Sequence, residues 1–395
     1  MNLDVRSLRT FSRLAHSGAE KAAGSLTTLA GIDTYVNVTK VELGTKADVV
    51  REFSERELVS VNIGFSGGLD GRTILAFSPT SADRIVETLV PELDGSDATN
   101  ELATSSLKEV ANIMLGGFID GWANYLDTSI DITTPTYVDE DAGDPLADVN
   151  VDGFEPNAET EQILVFRNQL ETAADAVGFD LYMIPSPDSI QTIIEASGDD
   201  GALPVESFAS FSEMISDGAS QASDDISAMT GIDTDVEVSR LSFVPIEGVP
   251  MSLTDAVRRG VVLEFSGTPS GYIAILFDEP SAENIASSLL PGMEDDEAMR
   301  QSAIQEIGNI VTSGFLDGWA NALETTIEIS PPKHVHDIGS AIVDPLATDL
   351  AQSQEYAFLI DSTIRTNDDE FTCDIYALPD QSELRKALEQ LAPAA

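Results

Sequence analysis

The chain switches repeatedly between two polarity periods, and the switches outline its elements. Arg6 to Ala30 places apolar residues at helical spacing and stops at Gly31, a common C-terminal signal. Thr34 to Leu43 alternates as a strand does. Leu58 to Phe65 and Arg72 to Phe77 flank Gly67-Gly68-Leu69-Asp70-Gly71, which predicts a hairpin. Ser81 to Val90 predicts a short helix halted before Pro91, and a long helix through Ser105 and Trp122 follows. Thr128 to Val138, Gln162 to Glu171 and Phe179 to Ile184 read as strands, and Ser186 to Ser197 as a closing helix. Asp139 to Asn157, acidic and rich in Gly and Pro, reads as a surface loop. Strands joined by hairpins, with helices between them, predict an α+β fold: an antiparallel sheet of about six strands with long helices packed on it.

The pattern occurs twice. Ala30 to Val38 matches Thr230 to Val238, and Phe65-Ser-Gly67, Gly71, Phe77 and Pro91 have counterparts 200 residues on, at Phe265-Ser-Gly267, Gly271, Phe277 and Pro291. Three residues are then lost, and Phe179-Asp-Leu-Tyr182 is matched by Cys373-Asp-Ile-Tyr376. Self-similarity at this period predicts two homologous domains, 1–198 and 199–395, meeting near Gly198 to Gly201.

The long helix has two contrasting sides. With Ser105 at zero and about 100° per residue, Glu109 falls near 40° and Asn112 near −20°, while Leu107, Val110, Met114 and Phe118 fall between about 140° and 220°. The apolar side can dock on a core while a carboxylate and an amide share the outward side. Ser302, Glu306 and Asn309 repeat the spacing, opposite Ile304, Ile307, Val311 and Phe315. Each helix ends in a Gly-Phe-x-Asp-Gly-Trp-Ala-Asn run that holds one of the only two tryptophans, and the same interval beyond each motif asparagine leads to Pro135 and to Pro332. A single Glu and Asn three residues apart reads as a solvated helix face. Two copies with Ser before and Pro after make that reading weaker, because many surface positions have diverged between the halves and these four have not.

Charge changes the picture next. Sixty-nine acidic against 20 basic residues give a formal net charge of −49, with six lysines. Such a surface repels phosphate backbones and anionic lipids, so neither nucleic-acid binding nor membrane binding is expected. The carboxylates are spread along patterned elements rather than gathered in a tail, which suits a protein working in molar salt, where the Debye length is about 3 Å. One cysteine, Cys373, fits a reducing cytosol and reads as a small core residue. Asp4 and Arg6 stand where a leader would need an apolar run, and no segment approaches about 18 apolar residues, so a cytoplasmic chain without membrane insertion is expected.

Other candidate chemistry is thin. Lys333-His334-Val335-His336 puts two imidazoles on one side of a strand, where they could hold a metal, but without an evident third ligand a surface loop is favoured. His16 reads as a helix-surface residue, Ser66-Gly-Gly68 and Ser266-Gly267 as turns, and the pairs Asp224-Asp225 and Asp295-Asp296 as solvated charge.

Ser-x3-Glu-x2-Asn followed by the spaced Pro resembles the active-site signature of the CheC, CheX and FliY phosphatases of chemotaxis. The order of helices, strands and hairpins is similar to the CheC fold over nearly the whole chain, as two CheC-like domains in tandem, of haloarchaeal type. The resemblance implies hydrolysis of the phospho-aspartate of CheY. Asn112 and Asn309 would hold the attacking water, and Glu109 and Glu306 would pair with the regulator's active-site lysine. Ser105 and Ser302 would tune the helix face, and Pro135 and Pro332 would end a strand ladder beside the site. An acyl phosphate is already activated, so the helper need only add position, and an amide does this without adding negative charge. No cofactor of the chain's own is implied, since CheY carries the Mg2+. A CheC domain is itself a pseudo-duplicate, and the first helix of each half is where a further signature would sit. There Arg13-Leu-Ala-His16 has lost both Glu and Asn, and Glu213-Met-Ile-Ser216 keeps only the Glu, which implies one live site per half. The alternative is a non-catalytic docking module of the chemotaxis and flagellar switch system that binds CheY or CheD; the intact asparagines weigh against it.

Overall fold

A computed structural model describes residues 2–3, 5–89, 97–138, 162–172, 178–197, 203–253, 256–289, 296–366 and 371–391. The loop expected over Asp139 to Asn157 and the junction at Gly198 to Gly201 lie outside the described residues. The chain divides into two compact units, Met1–Ala202 and Leu203–Ala395.

Unit 1 contains β1 (Asn2–Leu3), α1 (Val5–Ala30), β2 (Thr34–Thr45), α2 (Lys46–Glu55), β3 (Val59–Gly67), β4 (Gly71–Phe77), α3 (Pro79–Leu89), α4 (Asp97–Tyr125), β5 (Ile130–Ile132), β6 (Thr136–Val138), β7 (Gln162–Thr172), β8 (Gly178–Pro185) and α5 (Pro187–Ser197). Its sheet is antiparallel, in the order β2, β7, β8, β4, β3, with β5 and β6 following one another along the outer side of β3. Gly31 ends α1 with φ at +71°, a left-handed conformation that suits glycine.

Unit 2 contains β9 (Leu203–Pro204), α6 (Val205–Thr230), β10 (Asp235–Pro245), α7 (Gly248–Met251), β11 (Val257–Ser266), β12 (Gly271–Phe277), α8 (Glu279–Leu289), α9 (Glu297–Ala322), β13 (Glu328–Ile329), β14 (Lys333–Ile338), α10 (Gly339–Leu350), β15 (Tyr356–Arg365), β16 (Thr372–Pro379) and α11 (Gln381–Leu391). The sheet repeats the first in the order β10, β15, β16, β12, β11, with β13 and β14 along β11. Both units are therefore α+β with an antiparallel sheet, as the alternating strands and hairpins predict.

Alternation along each strand sends neighbouring side chains to opposite faces of the sheet. On β11, Phe265 meets Trp319 of α9 edge-on at 6.0 Å, and a Cβ on Gly308 of α9 would strike Val261. The long helices thus cover the face that carries Val261 and Phe265. The opposite face, with Val262, Ala274, Leu276, Ala357 and Leu359, is covered by Val249 of α7 and by Ile342, Val343, Ala347 and Leu350 of α10. In unit 1 the corresponding face is covered by α2, through Val49 and Phe53 on Ile74, Tyr182 and Ile184. Beneath α2 lies an ionic cluster, buried except for Arg56. Arg167 pairs with Glu52 and, at 3.5 Å, with Glu42, while Arg56 joins Glu52 at 2.9 Å and Asp180 at 2.7 Å.

Several elements differ from the sequence expectation, among them α10, which no helical pattern announced. The helix α2 was not predicted at all, although Thr45 and Asp48 form a reciprocal capping box at its start. The strand expected from Thr128 to Val138 is two strands, broken at Thr133 to Pro135. Proline has no N–H to give, and across the break the Thr133 hydroxyl takes the Gly64 N–H at 2.9 Å while the Thr133 N–H reaches the Gly64 carbonyl. Ser330 does the same with Glu264 in unit 2. Lastly, Lys333 to His336 form no loop: they lie in β14, with Arg259 opposite His336 and Val261 opposite His334.

Candidate functional site

What places α4 is the way it lies on α1. A Cβ on Gly18 would come within 2.8 Å of Phe118, and a Cβ on Gly121 within 2.9 Å of the Gly18 Cα, so only glycine permits this approach. Trp122 is fully buried, edge-on to Phe166 of β7 at 4.9 Å and 6.0 Å from Phe118. Unit 2 repeats the device. Gly218 and Gly318 meet at the crossing of α6 and α9, and buried Trp319 packs 5.6 Å from Phe211 and 5.3 Å from Phe315.

These anchors settle which side of each helix is inward. Leu107, Val110, Met114 and Phe118 are buried, as are Ile304, Ile307, Val311 and Phe315. Ser105, Glu109 and Asn112 are exposed; in unit 2 Ser302 and Glu306 are exposed and Asn309 is half-buried. Glu and Asn lie on one open side of each helix, within about a turn of each other.

The prolines sit where the edge strand breaks. Pro135 lies between β5 and β6 and Pro332 between β13 and β14, both half-buried, and α4 and α9 pack against these edge segments. In unit 2 the link is direct: the Gln305 amide donates to the Pro332 carbonyl at 3.3 Å. Gln305 precedes Glu306 and lies one turn before Asn309, so this bond ties the edge strand to the side of the helix that bears the motif. Ser313 also donates to the Asn309 carbonyl at 2.9 Å.

The degenerate faces keep the scaffold without the groups. On α1, Arg13 and His16 are exposed, and His16 Nδ1 lies 3.3 Å from the Thr39 hydroxyl. Thr39 follows His16 by 23 residues, as Pro135 follows Asn112 (135 − 112) and Pro332 follows Asn309 (332 − 309). A threonine there lets β2 run unbroken, whereas the prolines interrupt the edge. On α6, Glu213 is exposed and Ser216 half-buried.

The remaining candidates take ordinary places. Cys373 is buried in β16, and burial pushes its thiol well above the usual range. His16 is a helix-surface residue, 3.7 Å from Glu20. Asp296 is more than solvated charge, for it caps α9 by accepting from the N–H groups of Ala298 and Met299. His336 meets Glu279 at 2.8 Å, and among the described residues no three His, Cys, Asp or Glu side chains gather as a metal site. His334 is held below the usual imidazole range by burial first and then by Arg259. No helix among the described residues is long and apolar enough to cross a membrane. The ionic group at the start of α9, in which Arg259 and Arg300 both reach Glu297 at 2.6 Å, was not anticipated; it joins residues of a strand and a helix that are distant in sequence.

Comparison with known proteins gives matches to both halves. The CheC-like family matches residues 299–336, and the chemotaxis phosphatase CheX family matches residues 59–150. Each matched segment contains one full Ser, Glu, Asn and Pro set. CheC1 of Halobacterium salinarum, whose name marks it as a candidate CheY-P phosphatase, is 34% identical over 176 residues, covering 42% of this chain and 87% of the relative. Among solved structures, FliY of Thermotoga maritima is similar with a TM-score of 0.40 and 18% identity, over 49% of this chain and 97% of that one. A CheX in complex with CheY, BeF3 and Mg2+ from Borrelia burgdorferi is similar with a TM-score of 0.29 and 18% identity, over 43% and 95% of the two chains.

Proposed function

Because this chain belongs to the CheC family, we propose that it is a phosphatase for the phospho-aspartate of a CheY-type regulator, with one site in each unit. The observation that carries the proposal is the pair of open helix faces on which Ser105, Glu109 and Asn112, and again Ser302, Glu306 and Asn309, stand beside a proline-broken edge strand.

The chemistry follows from what an acyl phosphate lacks. The regulator brings the phosphoryl group, a lysine and the Mg2+ that neutralises the phosphoryl oxygens. Asn112 or Asn309 enters opposite the aspartyl oxygen; its amide oxygen accepts from a water and its N–H donates to a phosphoryl oxygen. The water oxygen bonds to phosphorus as the bond from phosphorus to the aspartyl oxygen breaks. The aspartate leaves as carboxylate, and the water's proton passes to the released phosphate or solvent. An aspartate in place of the asparagine would bring a second negative charge against the phosphoryl group. Glu109 and Glu306 take the regulator's lysine and fix the register of docking.

The test is phosphate release from the phosphorylated regulator with Mg2+ in molar salt. Asn112→Ala combined with Asn309→Ala should lower turnover by about a hundredfold or more while binding persists, because position is what the amide supplies. Wild-type turnover in the double variant would overturn the assignment of the asparagines.

A second reading is a docking module that holds CheY or CheD without hydrolysis. The faces at Arg13 and His16 and at Glu213 and Ser216 favour it locally, since they are open helix surfaces without an amide. Stable retention of phosphorylated regulator by the double variant and by wild type alike would favour this reading for the whole chain.

A further inference from the structure

Immediately before the motif glutamate the two units differ: Lys108 stands there in unit 1 and Gln305 in unit 2. With Ser105 at zero, Lys108 falls near −60°, one turn before Asn112 and about 40° from it around the helix. Glu109 lies about 60° from the asparagine on the other flank. The amide of unit 1 is thus flanked by an ammonium on one side and a carboxylate on the other. In unit 2 the same flank carries a neutral amide that is already engaged, since Gln305 donates to the Pro332 carbonyl at 3.3 Å. That bond also shows which way the flank looks: into the angle between the helix and the proline-broken edge strand. The degenerate faces carry Ser12 and Ser212 at this position, so the cation accompanies one of the two complete motifs.

Lys108 is half-buried. Among the described residues it makes no hydrogen bond and no ion pair, neither to the Pro135 carbonyl nor to a carboxylate. The preceding carboxylate on its stripe, Glu101, is exposed and stands two turns back along α4. A chain with 69 acidic residues and six lysines has carboxylates to spare for each of them, and Lys386, for one, meets Glu383 at 2.6 Å. A stem that only packs could be any long side chain, as Gln305 is in unit 2. Unit 2 has no substitute cation on this flank from its edge strand: Lys333, next to Pro332, pairs with Val262 and so belongs to the sheet face turned away from α9. An unmatched ammonium half-sunk beside the motif amide therefore calls for a ligand of its own.

We propose that Lys108 is a further substrate-binding residue of the unit 1 site, its ammonium taking a phosphoryl oxygen of the aspartyl phosphate while Glu109 takes the regulator's lysine. The inference rests on the phosphatase proposal. An acyl phosphate beside a lysine presents an anion and a cation side by side, and Lys108 and Glu109 present the complementary pair across Asn112. The phosphoryl group carries about two negative charges, and the ammonium offsets part of the cost of bringing a chain of net charge −49 against them. No bond or proton changes at the lysine; it holds the group in place while water attacks. The two sites are then unequal, and unit 1 binds the phosphorylated regulator more tightly than unit 2.

The test uses the full chain with Asn309→Ala, so that only unit 1 turns over, and the host's CheY-type regulators phosphorylated by acetyl phosphate. Adding Lys108→Gln, which installs the unit 2 residue, should lower kcat/KM about tenfold, whereas Lys108→Arg should keep it within about threefold because the charge stays. Binding separates a charge contact from a structural role. Lys108→Gln should weaken the tighter binding step for a beryllofluoride-charged regulator with Mg2+ about tenfold and leave the affinity for the uncharged regulator as it was. An unchanged kcat/KM, an equal loss in the Lys108→Arg protein, or equal weakening for charged and uncharged regulator would overturn the inference and leave the phosphatase proposal standing. So would the absence of turnover from unit 1 while wild type is active. If wild type turns over no regulator, the phosphatase proposal fails and the binding measurement decides alone: weakening confined to the charged regulator supports the inference, and any other result overturns it.

Discussion

Asp180 and Asp374 occupy the same place on the corresponding strands β8 and β16, yet their surroundings have diverged. Asp180 holds Arg56 at 2.7 Å. Asp374 has Arg258 at 3.5 Å and accepts from the Thr363 hydroxyl, and the position that carries Arg167 in unit 1 carries Asp361 in unit 2, each opposite its tyrosine in the ladder. Burial, and then the charge of Asp361, push the Asp374 carboxyl up to about 6, against the opposing pull of Arg258 and Arg365. An unfolded aspartate titrates near 3.9, so between about pH 4 and 6 the folded chain holds a proton that the unfolded chain has released. Stability from this group is therefore present at low pH and is lost as pH rises to about 6, by up to about 3 kcal/mol. Urea midpoints in molar salt at pH 4.5 and 7 should show a smaller fall for Asp374→Asn than for wild type. Equal falls would mean that the carboxyl titrates normally. The placement of Glu109, Asn112, Glu306 and Asn309 on an open face was legible from spacing alone, because a helix converts sequence interval directly into angle. The environment of Asp374 was not, because it is assembled from three strands whose register no local pattern specifies.

At the scale of elements the same contrast holds. Long helices and hairpins were legible where a strong period met a clear stop, as at Gly31 or before Pro91. The helix α2 has only Ala47, Val49, Val50 and Phe53 as apolar residues along its ten positions, too few for a visible stripe, and its capping box at Thr45 and Asp48 was the one local signal. The helix α10 carries Pro345 in its interior, which reads locally as a stop. It forms because its apolar side covers the face of the unit 2 sheet that bears Val262, Ala274 and Leu359. The helix α2 has a further tie. Its Glu52 meets Arg167 and accepts from Tyr182 at 3.1 Å, both on strands beneath it. Arg167→Met should destabilise the protein by about 3–5 kcal/mol, since it leaves Glu42 and Glu52 buried beside a side chain that cannot pair with them. Chemical denaturation would measure it, and a cost under about 1 kcal/mol would show that water reaches the pair.

For the whole molecule, the charge of −49 sets the conditions under which the fold is worth having. At about 0.1 M salt the Debye length is near 10 Å and neighbouring carboxylates repel; near 1 M it is about 3 Å and the repulsion is confined to direct contacts. The thermal midpoint should climb steeply between these concentrations of KCl, and a flat response would show that the acidic coat costs the folded state little. The same screening removes what usually keeps copies of a highly charged protein apart. Sheet edges then become a hazard, since a continuous edge strand offers a row of free backbone groups on which another chain can add itself. In each unit the edge segment beside the site is cut in two, at Thr133 to Pro135 and at Ser330 to Pro332, with a hydroxyl closing the exposed N–H across the cut. The prolines that frame the motif thus also deny a foreign strand a continuous template, a safeguard against fibrillar growth that works at salt concentrations where charge repulsion does not.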